Sequence, residues 1–265
     1  MKRRSFVKSS VVGGAMAAVM PSLSNAMTSL EKEKQQQYYE LRIYSLKDEA
    51  QQKLVENYFR DAAIPVLNRM GVKHVGVFTE MKPDGQTKIY ALIAYDSLAQ
   101  FNAISNSFEE DPELQRKGSA YLNAPATSPA YERIESSLLK AFEHFPTLTA
   151  PEKKERILEL RQYQSATEAA GKKKIEMFND RGEIDIFKRL DFNPVFWGET
   201  VIGPQRPNLT YMLTFKDLAD KSSHWQDFGN DTQWHEISAV PEYADALLVS
   251  KITSTLLVPA AFSQI

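Results

Sequence analysis

Apolar and polar side chains alternate with period two over residues 38–44, then apolar ones recur at helical spacing at Leu54, Val55, Tyr58, Phe59, Ala62 and Val66. The first pattern predicts a strand and the second a helix over 47–70. Apolar runs at 73–81 and 89–95 flank Pro83-Asp84-Gly85 and predict a hairpin, followed by a helix over 98–116 and a strand over 131–142. That is one β-α-β-β-α-β unit. The same succession returns over 157–163, 168–190, 194–203, 209–215, 218–238 and 250–259. A breaker stands in the first helix of each copy, Pro65 and Gly182, and predicts a kink or a restart there.

The copies align residue by residue. Glu40-Leu41-Arg42-Ile43-Tyr44 returns as Glu159-Leu160-Arg161-Gln162-Tyr163, displaced by 119 positions, and at that displacement Phe59 meets Phe178, Phe78 meets Trp197 and Glu80 meets Glu199. Tyr95 to Ala99 matches Phe215 to Ala219 at 120, and the last strands match at 118. So small a drift over a whole unit marks a tandem duplication. The layout is a leader over 1–26, a polar tether over 27–37, a first domain over 38–145, a linker over 146–156 and a second domain over 157–265. A four-stranded sheet with helices on one face leaves the other open, and packing two open faces together encloses a barrel-like space within one chain.

The leader changes the expected setting. Lys2-Arg3-Arg4-Ser5-Phe6-Val7-Lys8 precedes an apolar, Gly/Ala-rich stretch to Met20 and a small-residue site at Ser24-Asn25-Ala26, the pattern of a twin-arginine signal peptide. About ten apolar residues fall short of the roughly 20 that span a bilayer, so export in the folded state to the periplasm or medium is expected, with no stable membrane span after processing. Residues 1–26 hold four basic and no acidic side chains, which leaves 28 basic against 34 acidic in the rest. That balance disfavours nucleic acid as a partner. The absence of cysteine excludes disulfides, thiolate metal sites and cysteine nucleophiles.

With both Glu-Leu-Arg-x-Tyr strands, the run Gly71 to Phe78, and Ile175 to Asn179 leading into Asn193-Pro194-Val195-Phe196-Trp197-Gly198-Glu199-Thr200, the chain resembles the NIPSNAP family over nearly all of 38–260. The resemblance implies an α+β fold, two tandem ferredoxin-like (βαββαβ) repeats forming an intrachain dimeric α/β-barrel. It implies little chemistry, because fold alone does not deliver function.

Alternation in the first strand is expected to turn Leu41 and Ile43 to the helices and Glu40, Arg42 and Tyr44 to the open face, with Glu159, Arg161 and Tyr163 alike in the second copy. These six side chains would then point into the barrel, with Phe78 or Trp197 and Glu80 or Glu199 beside them. A partly dry cavity so lined would bind an acidic or phenolic ligand, Arg by its fixed donor fork and Glu40 or Glu159 as a base. The competing reading is a buried Glu-Arg pair on each strand that only closes the repeat interface.

Other chemistry is thinly marked. His224 and His235 are 11 positions apart, about 16 Å along one helix, too far to share an ion, and no metal site is expected. The run Lys172-Lys173-Lys174 reads as a solvated helix face, and Trp234 as core or as the cover of a cavity mouth. No catalytic triad or phosphate loop can be assembled and no cofactor is assigned. Three functions stay open: a small-ligand-binding or protein-interaction module, a cofactor-independent oxygenase or isomerase acting on a small acidic or phenolic compound, and a haem or other cofactor carrier. Outer sheet edges or helices could also pair two chains into a homodimer.

Overall fold

The computed structural model describes residues 35–265; the leader at 1–26 and the tether up to residue 34 lie outside the described residues. Strand β1 (Tyr38–Leu46) leads to helix α1 (Glu49–Tyr58), a π-helical turn (Phe59–Ala63) and α2 (Ile64–Arg69), then to the hairpin β2 (Val75–Glu80) and β3 (Thr87–Tyr95). The helix expected over 98–116 is two pieces, α3 (Leu98–Ser107) and α4 (Pro112–Lys117), and a further short helix, α5 (Ser119–Leu122), follows before β4 (Arg133–Ala141). Asp111-Pro112 imposes the break: Pro112 offers no N–H, and the Asp111 carboxylate accepts from Glu113 N and Leu114 N as a new cap.

The second copy runs β5 (Ile157–Gln164), α6 (Glu168–Asp180), α7 (Glu183–Arg189), β6 (Asn193–Ile202), β7 (Asn208–Phe215), α8 (Leu218–Gly229), α9 (Thr232–Ser238), a 3-10 turn (Pro241–Tyr243), α10 (Asp245–Leu248) and β8 (Lys251–Pro259). Caps recur at matched positions, Asp48 with Thr167, Ser97 with Asp217 and Asp111 with Asp231. The two breakers act differently. Ahead of Pro65 the helix widens into a π turn and continues, whereas Gly182 takes φ +88° and starts α7 afresh.

The eight strands close into one antiparallel barrel, β1-β3-β2-β8-β5-β7-β6-β4. Two seams join the repeats, β2 with β8 and β4 with β6. Its interior is a single apolar cluster drawn from both halves, including Leu41, Phe78, Leu92, Leu160, Phe196 and Met212. Leu148 from the linker and Ile265 join that cluster, and the segments carrying them hydrogen-bond to β6 and β2 through Thr149 N to Val195 O and Gln264 N to Val75 O. Each half keeps a second core between its sheet and its helices.

The expected orientation of β1 and β5 is reversed. Leu41 and Leu160 lie in the barrel interior, while Tyr44 and Tyr163 lie in the cores under the helices. Glu40, Arg42, Glu159 and Arg161 share that helix-covered side, as Tyr95 and Trp225 bonding to the carboxylates confirms. Period two tells which residues share a face but not which face holds the barrel, and a closed barrel covered by helices buries both.

Matching Phe78 with Trp197 is also corrected. Phe78 pairs with Tyr90, but Trp197 pairs with Tyr211, the counterpart of Ala91. The displacement has already reached 120 where the helices end at Arg69 and Arg189 and where the chain turns at Gly71 and Asp191, both with positive φ, so Trp197 matches Val77, and the bulge at Val195 is a local break in the β6–β7 register. Hence Phe78 and Glu80 face the interior and Trp197 and Glu199 face the helices.

The end of the tether is fixed. Gln37 is buried, its side chain donating to Asp96 and accepting from Leu148 N, and its backbone N–H donating to Pro146 O.

Candidate functional site

Glu40 and Arg42 stand two apart on β1, so pleating puts them side by side on the helix-covered face. Arg42 Nε donates to Glu40 Oε1 at 2.6 Å and Nη2 to Oε2 at 3.0 Å, and the Tyr95 hydroxyl adds a bond at 3.1 Å. Burial opposes the Arg42 charge, but the Glu40 carboxylate outweighs it and holds the guanidinium above its ordinary pKa. Tyr44 beside them packs edge-on to Phe59 and Tyr131 with its hydroxyl unbonded, and burial pushes that hydroxyl's pKa up. The first repeat therefore holds a closed two-pronged ion pair in an aromatic core.

The second repeat builds more on the same strand positions. Glu159 is fully buried, and its oxygens accept from Arg161 Nη1 (3.1 Å), Ser254 Oγ (2.6 Å) and Trp225 Nε1 (2.7 Å), with Lys221 Nζ at 3.4 Å. Trp225 takes the place of Tyr95, whose counterpart Phe215 has no hydroxyl, while Ser254 matches Ser136 of the first repeat. Arg161 is held one-pronged to Glu159, gives Nη2 to the Tyr163 hydroxyl at 2.9 Å and stacks on Trp225 at 4.3 Å. Its Nε is buried with no hydrogen-bond partner. Burial would lower the Arg161 pKa, but Tyr211, Tyr163 and Glu159 around it more than offset this and raise it. Tyr211 donates to Tyr163 at 3.2 Å, extending the polar line towards α6.

There the lysine run departs from a solvated face. Lys174 is 1% exposed, with Nζ 3.4 Å from both Glu183 and Asp245, 3.2 Å from Met177 Sδ, and over the Phe178 and Trp234 rings at 5.2 and 5.5 Å. Burial pushes the Glu183 carboxyl up to about 7 although Lys174 pulls it down, and Lys174 keeps its proton because Glu183 and Asp245 outweigh its own burial. Counting from the helix starts at Glu49 and Glu168, Lys174 stands where the first repeat has Val55; counting from the helix ends at Arg69 and Arg189, Glu183 stands where it has Ala63. Both are buried apolar residues.

The remaining expected site residues are dispersed. Glu80 accepts from the Tyr90 hydroxyl at 2.5 Å inside the barrel. Glu199 lines a small cleft with Lys172 and Arg206 on the helix side. His224 and His235 lie on separate helices, α8 and α9, because Asp231 caps a new one, so their separation along one axis does not apply. Trp234 packs against Phe228 at 4.8 Å and over Lys174. Among the described residues no three His, Asp or Glu side chains are grouped to hold a metal ion, and no helix is long and apolar enough to cross a membrane.

The NIPSNAP family model matches residues 39–144 and again 158–264. The chain belongs to the NIPSNAP family. No curated protein is significantly similar to it in sequence. Its barrel is similar to two crystal structures carrying provisional monooxygenase names, one from Fusobacterium nucleatum (TM-score 0.57, 10% identity, 84% of this chain and 92% of that one) and one from Lactobacillus acidophilus (TM-score 0.54, 7% identity, 84% and 94%). At such identity the likeness is one of fold. An uncharacterised NIPSNAP-like domain protein from Burkholderia xenovorans is 21% identical over 41% of this chain and 89% of its own, with a TM-score of 0.36.

Within this NIPSNAP chain, sequence reasoning missed Lys174, Glu183, Lys221, Trp225 and Ser254. A signal existed for Lys174: set on the first copy, it falls on Val55 of the apolar stripe, where a solvated lysine has no place.

Proposed function

We propose that this NIPSNAP protein is a small-ligand-binding module that acts outside the cytoplasm, with its site under the helices of the second repeat. The ligand class is a compound bearing a carboxylate or phenolate. The observation that carries this reading is the replacement of a buried Val-Ala pair by Lys174 and Glu183 in one repeat only. The first copy builds the same fold with apolar residues, and buried ion pairs are weak contributors to stability, so the charges have another use. Arg161 supports it: its unbonded Nε is a buried donor that an anionic oxygen would satisfy. Trp225 and Tyr163 offer aromatic surface beside it. The leader with Arg3-Arg4 and Phe6 supports export of the folded protein to the periplasm or medium.

The test restores the first-repeat residues. Lys174→Val with Glu183→Ala should fold with undiminished stability and lose the organic ligand that native mass spectrometry finds on protein purified from an exporting host. A double variant that unfolds more easily yet keeps its ligand would assign the pair to stability alone. For the leader, Arg3→Lys with Arg4→Lys should leave the protein in the cytoplasm.

A cofactor-independent enzyme acting on the same ligand class is the second reading, and Glu183 favours it. A carboxyl at about 7 suits proton transfer at neutral pH, whereas Glu159 already accepts on both oxygens. Turnover that disappears in Glu183→Gln but survives Glu159→Gln would support it.

A further inference from the structure

Arg156 ends the linker and leads into β5. The β5–β7 register pairs Ile157 with Phe215 and Leu158 with Thr214, so Arg156 and Thr214 project from the same face of the sheet as diagonal neighbours. Both line a cleft of about 580 Å³ bounded by the linker, by β6 and β7, and by α8. Arg156 Nε and Thr214 Oγ1 are buried there, each without a hydrogen-bond partner. Arg156 makes one bond, Nη1 to Lys154 O at 2.9 Å. Burial pushes its guanidinium below the ordinary arginine pKa with no anion to offset it, the reverse of Arg42 and Arg161.

The cleft's own carboxylates do not supply that anion. Glu152 is paired with Lys154 at 2.9 Å, and Asp220 accepts from Lys216 N and lies 3.4 Å from His224 Nδ1. Glu155 and Asp191 are exposed at the rim, and among the described residues no carboxylate lies within ion-pair distance of Arg156. Ala150, Pro194 and Phe215 add apolar wall.

The first repeat shows what the fold needs at these positions. Gln37 is the counterpart of Arg156, and both ends of its amide are engaged, donating to Asp96 at 2.9 Å and accepting from Leu148 N at 2.7 Å. Ala94 is the counterpart of Thr214 and has no hydroxyl. A neutral amide and a methyl group suffice for the barrel, so the cation and the hydroxyl of the second repeat are additions to it.

We propose that this cleft is a second binding site, specific for a small monocarboxylate with an apolar body. The carboxylate accepts from Arg156 Nε and the Thr214 hydroxyl, and the body lies along Ala150, Pro194 and Phe215. One charge-assisted donor and one neutral donor suit a single carboxylate, and the volume falls in the range of small-molecule sites. The site is separate from the one under the helices, which Arg161 marks.

Octanoate and phenylacetate, titrated into the mature full chain by calorimetry, test it, with inorganic phosphate as a third probe. The carboxylates should bind, phosphate should not compete, and Arg156→Gln and Thr214→Val should each weaken binding about tenfold or more. Arg60→Gln, at an exposed position on the π turn of the first repeat, should leave this binding unchanged. Thr214→Val also has a reading in the empty protein: removing an unsatisfied buried hydroxyl should leave the melting temperature unchanged or raise it. Absence of binding at millimolar concentration, or full affinity in Arg156→Gln, overturns the proposal. So does a lowered melting temperature in Thr214→Val with full affinity, because ordinary solvent would then be what satisfies the hydroxyl.

Discussion

The two Glu-Arg pairs differ in what surrounds them, and their variants should differ in kind. Arg42 serves Glu40 with two donors, so Arg42→Met strands a nearly buried carboxylate. A loss of about 2–3 kcal/mol in urea unfolding is expected, below the range for fully buried pairs because the Arg42 side chain is 29% exposed. Glu183 sets a pH dependence. Its folded pKa of about 7 lies above the ordinary 4.5, so the folded state holds the proton more tightly than the unfolded chain. Its contribution is complete below 4.5 and is lost as pH rises to 7, of order 3 kcal/mol in all. Comparing wild type with Glu183→Gln in urea across that interval should show a steeper decline in the wild type.

At the scale of elements, the strands and the hairpin were legible because alternation and Pro83-Asp84-Gly85 are local signals. The breaks were less so. Pro65 signals a kink, but whether the helix widens or stops depends on packing, and the Asp111-Pro112 restart hides inside a polar stretch. The candidate site was half legible. Glu40, Arg42, Glu159 and Arg161 could be named from the duplicated motif, but their side of the sheet could not, since Leu41 and Tyr44 are both buried and differ only in which core they enter. The glycine at position 76 on β2 belongs to this scale: a Cβ there would lie 2.4 Å from the Phe78 ring, which is fully buried and cannot yield. Gly76→Ala should cost about 1–3 kcal/mol by overpacking, seen as a lower urea midpoint.

For the molecule as a whole, both seams cross between repeats, so neither half closes the barrel alone. Circular dichroism and tryptophan fluorescence should report one coincident unfolding transition, although Trp197, Trp225 and Trp234 all lie in the second repeat. The shared interior should be equally sensitive from either repeat. Leu148→Ala and Ile265→Ala each remove a side chain from that cluster and should lower stability by about 2–4 kcal/mol, measured by the same transition. The barrel as an architecture followed from the duplication, because two open sheet faces in one chain need each other. Its apolar filling did not, as it depends on register and tail packing that no local pattern carries.

The bulge at Val195 bears on how such a chain can change. In an assembly of two identical subunits, any inserted residue appears twice, and both halves must tolerate it. Joined end to end, the copies no longer share their mutations. The bulge breaks the register of β6 alone, while β2 pairs with β3 through the matching stretch without one. One half of this barrel is thereby free to stay a conservative scaffold while the other explores charge, and repairs to the scaffold need never pass through the half that experiments.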